Sequence, residues 1–156
     1  MKKNDFSKIL ESYFLKHLSL ERRFSDNTYA TYLMVLKQFI GYMTEYKKLR
    51  YQEISIHSFS KSNILDFLEY VEKERNVSVR TRNHKLAVIN SFLEYVQSVD
   101  PVYLDVYLQA KSIKLKRVKK EKMDYLTREE LEAIMRAIDI KTKSGYKHYV
   151  LLAILY

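Results

Sequence analysis

The chain contains no cysteine, which excludes disulfides and thiolate metal ligands. That absence fits a reducing cytoplasm, where we expect the protein to reside. One proline and two glycines in 156 residues leave few positions that favour tight turns. No run approaches the roughly 20 apolar residues of a membrane span, and no signal-peptide pattern follows the N-terminus. We therefore expect no membrane partner.

The composition is apolar and aromatic enough to form a packed core. Hydrophobic residues make up 47% of the chain and aromatic residues 13%, which argues against global disorder. Apolar residues recur at three- and four-residue spacing almost throughout the chain. This pattern predicts an all-α protein, organised as a small helical bundle.

Positive charge is the other prominent feature. The formal net charge is +9, and residues 111–122 hold seven basic residues and one acid, or +6 of that total. The basic residues are Lys111, Lys114, Lys116, Arg117, Lys119, Lys120 and Lys122. Such a balance favours a polyanionic partner, nucleic acid before an anionic membrane surface. A solvated linker explains an isolated basic run equally well.

Residues 78–96 predict a helix with two different faces. Ser78 stands at the N-cap position. The apolar stripe consists of Leu86, Ile89, Phe92, Leu93 and Val96. The opening turns present Arg80, Thr81, His84 and Lys85 away from this stripe. These side chains suit phosphates and base edges in a DNA major groove, although a solvated surface helix explains them too.

Earlier segments predict three further helices. The first covers residues 5–20 and buries Phe6, Ile9, Leu10, Tyr13, Phe14 and Leu18. The second begins at Ser25 or Asp26 and places Asn27, Thr28 and Thr31 off its apolar stripe. Gly41 lies inside this helix, where a close helix crossing would explain it. The third begins at Ser60 or Ser62, after an irregular segment in which Ile54 and Ile56 plug the core.

Asp100-Pro101 should end the long helix, because the residue before proline is disfavoured in the α region. Beyond it, a short helical turn is expected to pack Tyr103, Leu104, Val106, Tyr107 and Leu108 onto the bundle.

A separate unit is expected after the basic run. Thr127 and Glu130 have the spacing of a capping box. A strongly apolar helix then occupies residues 146–156 and needs burial on most of its sides. Because about 33 residues cannot supply those surroundings, we expect this unit to be the start of a larger second domain.

Four motifs carry a family resemblance. They are Ser25-Asp26-Asn27-Thr28-x-x-x-Tyr32-x-x-x-Leu36-x-x-Phe39, Ser78-Val79-Arg80-Thr81-Arg82-Asn83-x-x-Leu86-Ala87-x-Ile89-x-x-Phe92-x-x-Tyr95-Val96, Asp100-Pro101 and Tyr125-Leu126-Thr127-x-x-Glu130-Leu131. In this order and spacing, the chain resembles the tyrosine recombinases, which comprise phage integrases and Xer-type recombinases.

The resemblance implies three regions. Residues 1–108 would form a core-binding domain of SAM-like fold, 109–123 a basic linker, and 124–156 the start of the catalytic domain. The two domains would clamp double-stranded DNA, with the openings of the second and fourth helices forming one basic cradle. The implied DNA contacts are Asn27, Thr28, Thr31, Arg80, Thr81, His84 and Lys85, with Lys114, Lys116, Arg117, Lys119 and Lys120 in the linker.

The resemblance also implies a chemistry that this sequence does not hold. In the family, a tyrosine attacks a phosphodiester and forms a 3′-phosphotyrosyl bond, without ATP or a metal. The Thr-Gly-x-Arg pattern and the nucleophilic tyrosine cannot be placed here, so we expect this chain to be inactive. The resemblance also implies a parent protein that assembles as a tetramer on DNA, and we expect this chain alone to be monomeric. His17, His57, His84 and His148 share no metal-ligand spacing, and we assign no metal or cofactor.

Two other functions fit the pattern. A helical transcriptional regulator would dimerise and bind half-sites about 10 bp apart. A helical protein-interaction adaptor would use residues 111–122 only as a solvated tether.

Overall fold

The computed structural model describes residues 5–21, 23–118 and 125–155, and every regular element within them is helical. The predicted all-α class is confirmed. The chain divides into two compact units, residues 1–118 and 119–156. The first contains α1 (Asp5–Ser12), a π-helix (Tyr13–Glu21), α2 (Asp26–Glu45), α3 (Lys61–Lys73), α4 (Val79–Val99) and α5 (Leu104–Lys111), with 3-10 turns at Tyr51–Glu53, Ile56–Phe59 and Pro101–Tyr103.

Serine caps begin α2, α3 and α4 as predicted. The hydroxyl oxygens of Ser25, Ser60 and Ser78 each accept a hydrogen bond from the backbone N–H three residues later, at 3.4, 3.4 and 3.2 Å. Asp100 ends α4 in an extended conformation before Pro101. The boundaries of the principal helices therefore follow from local side-chain chemistry.

Helix α4 is central to the first unit and packs against α2, α3, α5 and the π-helix. Its predicted apolar stripe is entirely buried. The ring of Phe92 lies 5.2 Å from that of Tyr13 and 5.3 Å from that of Phe59, which stacks at 4.4 Å on Phe39. One aromatic cluster thus joins four elements and fixes the rotation of α4. Ile54 and Ile56 are buried, as expected.

The first predicted helix changes its winding halfway along. Helix α1 continues directly as a π-helix, whose wider turns direct Tyr13, Phe14 and Leu18 into the core. The predicted buried face is retained, but apolar spacing alone did not reveal the change of winding.

In the segment after α4, the packing prediction is partly wrong. Tyr103, Val106 and Tyr107 are buried, but Leu104 and Leu108 are exposed. A short helix on the surface of the bundle buries one face only, and these leucines lie on the other.

The close helix crossing predicted at Gly41 is also wrong. A methyl group placed there would meet no heavy atom of the described residues within 4 Å, apart from the neighbouring backbone of its own helix. Gly41 instead lines a groove of about 470 Å³ between α2 and α3. Its backbone φ is negative, so the helix does not require glycine at this position.

Lys85 was expected on the outward face of α4, and this expectation is wrong. Its side chain is 5% exposed, and its Nζ donates a hydrogen bond to Gln38 Oε1 of α2. Lys85 precedes Ile89 by four residues, so both lie on the side of α4 that faces the core. Burial lowers the pKa of the Lys85 ammonium below its usual range, and the positive charge of Arg75 lowers that pKa further.

The second unit contains α6 (Arg128–Ala137) and α7 (Lys143–Leu155). Its predicted capping box is confirmed, because Thr127 Oγ1 accepts from the Glu130 N–H at 3.2 Å and Glu130 Oε2 accepts from the Thr127 N–H at 2.8 Å. None of the described side chains of this unit is buried.

Replacing Gly41 by alanine should raise the free energy of unfolding by about 0.5 to 1 kcal/mol, because it reduces the backbone entropy of the unfolded chain. Thermal denaturation followed by circular dichroism measures this gain. Gly145→Ala is the control without the gain, since its Cβ would lie 2.0 Å from the Asp139 carbonyl oxygen. A destabilised Gly41→Ala variant would contradict the open groove.

Replacing Lys85 by methionine should stabilise the fold by about 1 kcal/mol near neutral pH, because it removes a buried cation. This gain should shrink as the pH rises towards 10.5, the usual pKa of a lysine. In that window wild-type Lys85 loses its proton in the folded state but keeps it in the unfolded state, so wild-type stability increases relative to the variant. Urea unfolding at several pH values measures the difference, with exposed Lys61→Met as the control. A stability difference that does not change with pH would contradict the lowered pKa.

Candidate nucleic-acid interface

The opening turns of α4 present three of the predicted contact residues to solvent. Arg80, Thr81 and His84 are exposed. Arg80 and His84 are four residues apart, so they lie on one face of the helix, and Asn83 is adjacent to Arg80 on its other side. The Thr81 hydroxyl lies 3.0 Å from the capping hydroxyl of Ser78 and is thereby held at the helix end.

The opening turns of α2 carry the other predicted group. Asn27 is exposed, and Thr28 and Thr31 are half-buried. The Thr28 hydroxyl lies 3.0 Å from Ser25 Oγ, and the Thr31 hydroxyl donates to the Asn27 carbonyl oxygen at 2.7 Å. Both threonine hydroxyls therefore have partners within their own helix opening.

The structure does not join the two openings into the single cradle expected from the sequence. Phe24, just before α2, borders the same hollow as Glu94 in the second half of α4. Lys85, near the start of α4, instead contacts Gln38. Gln38 lies twelve residues after the start of α2, or about 18 Å along the helix. Going along α2 from its start, the neighbouring residues of α4 therefore run from the second half of α4 back towards its start. The openings of α2 and α4 lie at opposite ends of the region where the two helices pack.

What the fold does bring together is the opening of α4 and part of the basic run. Asn83 Nδ2 donates to the Lys116 carbonyl oxygen at 2.8 Å, and the Lys116 N–H donates to Asn83 Oδ1 at 3.1 Å. Arg82 Nη1 lies 3.5 Å from the carbonyl oxygen of Lys114. Residues 114–116, more than thirty positions away in sequence, are thus fixed beside α4.

One carboxylate balances part of this charge. Glu72 Oε2 on α3 lies 2.7 Å from Lys116 Nζ and 3.7 Å from Arg82 Nε. The second distance is too long for a hydrogen bond, and Arg82 Nε is buried without a hydrogen-bond partner among the described residues. Arg82 is 4% exposed, so its guanidinium supports the docked segment rather than facing solvent.

The outcome is a basic patch, defined as Arg80, His84, Lys114, Lys116 and Arg117, all of them exposed. Lys119 and Lys120, also predicted as contacts, lie outside the described residues. The residues that the sequence did not single out are Asn83, Glu72 and Arg82. In the sequence, Asn83 stands among basic residues near the start of α4. That local pattern does not indicate that Asn83 would contact Lys116.

No group of three or more His, Asp or Glu side chains within the described ranges could hold a metal ion. In the same ranges, no helix combines the length and apolar character needed to cross a membrane.

Comparison with known proteins places these features in a family. Residues 12–99 match the family model described as phage integrase, N-terminal SAM-like domain. The integrase/recombinase y4rD of Sinorhizobium fredii is 30% identical over 147 residues, which cover 94% of this chain and 52% of that protein. Tyrosine recombinase XerC of Staphylococcus saprophyticus is 25% identical over 149 residues, covering 94% of this chain and 46% of that protein.

The chain spans about half the length of these relatives. No solved structure matches it. The family model covers more than half of the chain, from the end of α1 through α4, and the all-helical first unit agrees with it. The chain therefore belongs to the tyrosine recombinase family, and its first unit contains the SAM-like N-terminal domain of the phage integrases.

Proposed function

We propose that this chain binds double-stranded DNA as the N-terminal part of a site-specific tyrosine recombinase. The observation that supports this most directly is the docking of residues 114–116 on Asn83, which gathers the basic patch at the opening of α4. Duplex DNA carries one negative charge per about 1.7 Å of its axis, so a patch of several cations displaces several counterions on binding.

The patch divides into two roles. Lys114, Lys116 and Arg117 contact phosphates and fix the position of the protein on the duplex. Arg80, Thr81 and His84 stand at the opening of α4, whose width suits a major groove about 12 Å across, and they reach base edges there. The buried Lys85 takes no part in these contacts.

The opening of α2 supplies a second contact region. Asn27 is the exposed member, and Thr28 and Thr31 exchange their internal hydrogen bonds for phosphate oxygens when DNA is bound. Because this region lies at the other end of the α2–α4 contact, it meets a different stretch of backbone. Lys119 and Lys120 add two further cations that contact phosphates.

In the parent protein, residues 1–108 act as the core-binding domain, 109–123 as the linker and 124–156 as the start of the catalytic domain. The two domains clamp the duplex at the recombination core site during DNA integration or recombination. Relatives of this chain carry the names integrase/recombinase and tyrosine recombinase XerC. We assign no catalytic residue or cofactor to this chain. The chain alone is monomeric, the parent assembles as a tetramer on DNA, and the protein works in the cytoplasm.

Replacing Arg80 by glutamine should weaken duplex binding by about tenfold, because a charge-assisted hydrogen bond to DNA is lost. Fluorescence anisotropy with a labelled duplex of about 30 bp measures the affinity, and a panel of duplex sequences measures the relaxed preference. The matched control is Lys61→Gln, an exposed cation at the far end of α3. An equal loss in the control would mean that only net charge matters, and would contradict this site.

Replacing Lys116 by glutamine should weaken binding to all sequences alike, because it removes a phosphate contact. Wild-type affinity should fall steeply with salt, and the slope of log K against log salt should become about 0.9 shallower in the variant. Titrations between about 50 and 200 mM salt give both slopes. A wild-type protein without salt-dependent affinity for any duplex would contradict the proposed function.

A further inference from the structure

We infer that Asn83 is a positioning residue, which holds residues 114–116 of the basic run in the position in which their cations bind DNA. These three residues are called the basic segment below. This inference rests on the proposed function. Asn83 is neutral and adds no charge to the interface. Its carboxamide contacts the backbone of the segment at Lys116.

The geometry of the contact is reciprocal. The Asn83 carboxamide offers one donor and one acceptor side by side, and Lys116 answers with its own carbonyl oxygen and N–H, at 2.8 and 3.1 Å. This is the pairing that two peptide groups make in a ladder, here between residues 33 positions apart. Two bonds to one residue fix the direction of the segment as well as its distance from α4.

The acceptor oxygen is itself fixed. Arg82 Nη1 donates to Asn83 Oδ1 at 3.2 Å and approaches the Lys114 carbonyl oxygen at 3.5 Å. The buried guanidinium thus bridges the carboxamide and the preceding part of the segment. Asn83 is therefore oriented from both sides before any ligand binds.

Backbone anchoring leaves the cations available. The ion pair between Lys116 and Glu72 also holds the segment, but half of the Lys116 side chain is exposed and such pairs weaken with salt. A phosphate competes directly with Glu72 for the same ammonium. The Asn83 contact does not compete, because it uses no side-chain charge, and it persists while Lys114, Lys116 and Arg117 bind DNA.

The consequence is preorganisation. A free segment of this charge loses backbone entropy when it is ordered along a duplex. Because folding has already ordered the segment, DNA binding does not incur this entropy loss again. Without the Asn83 contact, the same cations bind the same phosphates with lower affinity.

The test is Asn83→Ala in the full chain, with the labelled duplex as probe. We expect affinity to fall about five- to tenfold at every salt concentration, as two neutral hydrogen bonds are lost. The salt slope should stay unchanged because the charge is unchanged, in contrast to Lys116→Gln. Asn90→Ala, the same substitution further along α4, should bind like wild type. Unchanged affinity of Asn83→Ala would overturn the positioning role.

Hydrogen exchange of the Lys116 amide provides a second measurement that needs no DNA. This amide should exchange slowly in the wild-type protein and rapidly in the Asn83→Ala variant. Rapid exchange in the wild type would overturn the inference, even where the variant does not fold. A wild-type chain with a protected Lys116 amide but no duplex affinity would contradict the proposed function and leave the docking intact.

Discussion

Burial of the apolar stripe of α4 is the constraint on which the rest of the structure depends. The ring of Phe92 packs between Tyr13 and Phe59, and each such ring contributes about 1.5 to 3 kcal/mol when fully buried. Rotating α4 would expose this stripe and open cavities in a close-packed core. The rotation of α4 is therefore fixed, and Arg80 and Asn83 must lie on its outer side.

The basic patch depends on that orientation and on neutral hydrogen bonds rather than on paired charges. Asn83 holds the backbone of Lys116, and Glu72 is the one carboxylate of the described residues that pairs with Lys116 and Arg82. A positively charged segment would otherwise be repelled by the opening of α4. Backbone hydrogen bonds overcome this repulsion without neutralising the surface, which suits a surface that meets a polyanion.

Local features of this fold could be predicted because they depend on few neighbouring residues. Ser78 caps α4 through a bond to a residue three positions away, and Pro101 ends that helix through its own ring. Lys85 shows where such reasoning failed. Its charge suggested solvent, but its position relative to Ile89 placed it on the core side, and its long apolar stem allowed burial. At Gly41, residue type suggested a crossing that the packing of α2 and α3 does not make.

For the candidate site, the sequence by itself determined the helical class, the caps and the basic residue types, because spacing and composition act through neighbouring positions. Only the tertiary structure decided that Lys116 meets Asn83, that Lys85 is buried, and that the opening of α2 lies away from that of α4. These relations depend on the directions in which helices cross and on contacts more than thirty residues apart. Apolar periodicity specifies which face of a helix is buried, but not which neighbour covers it.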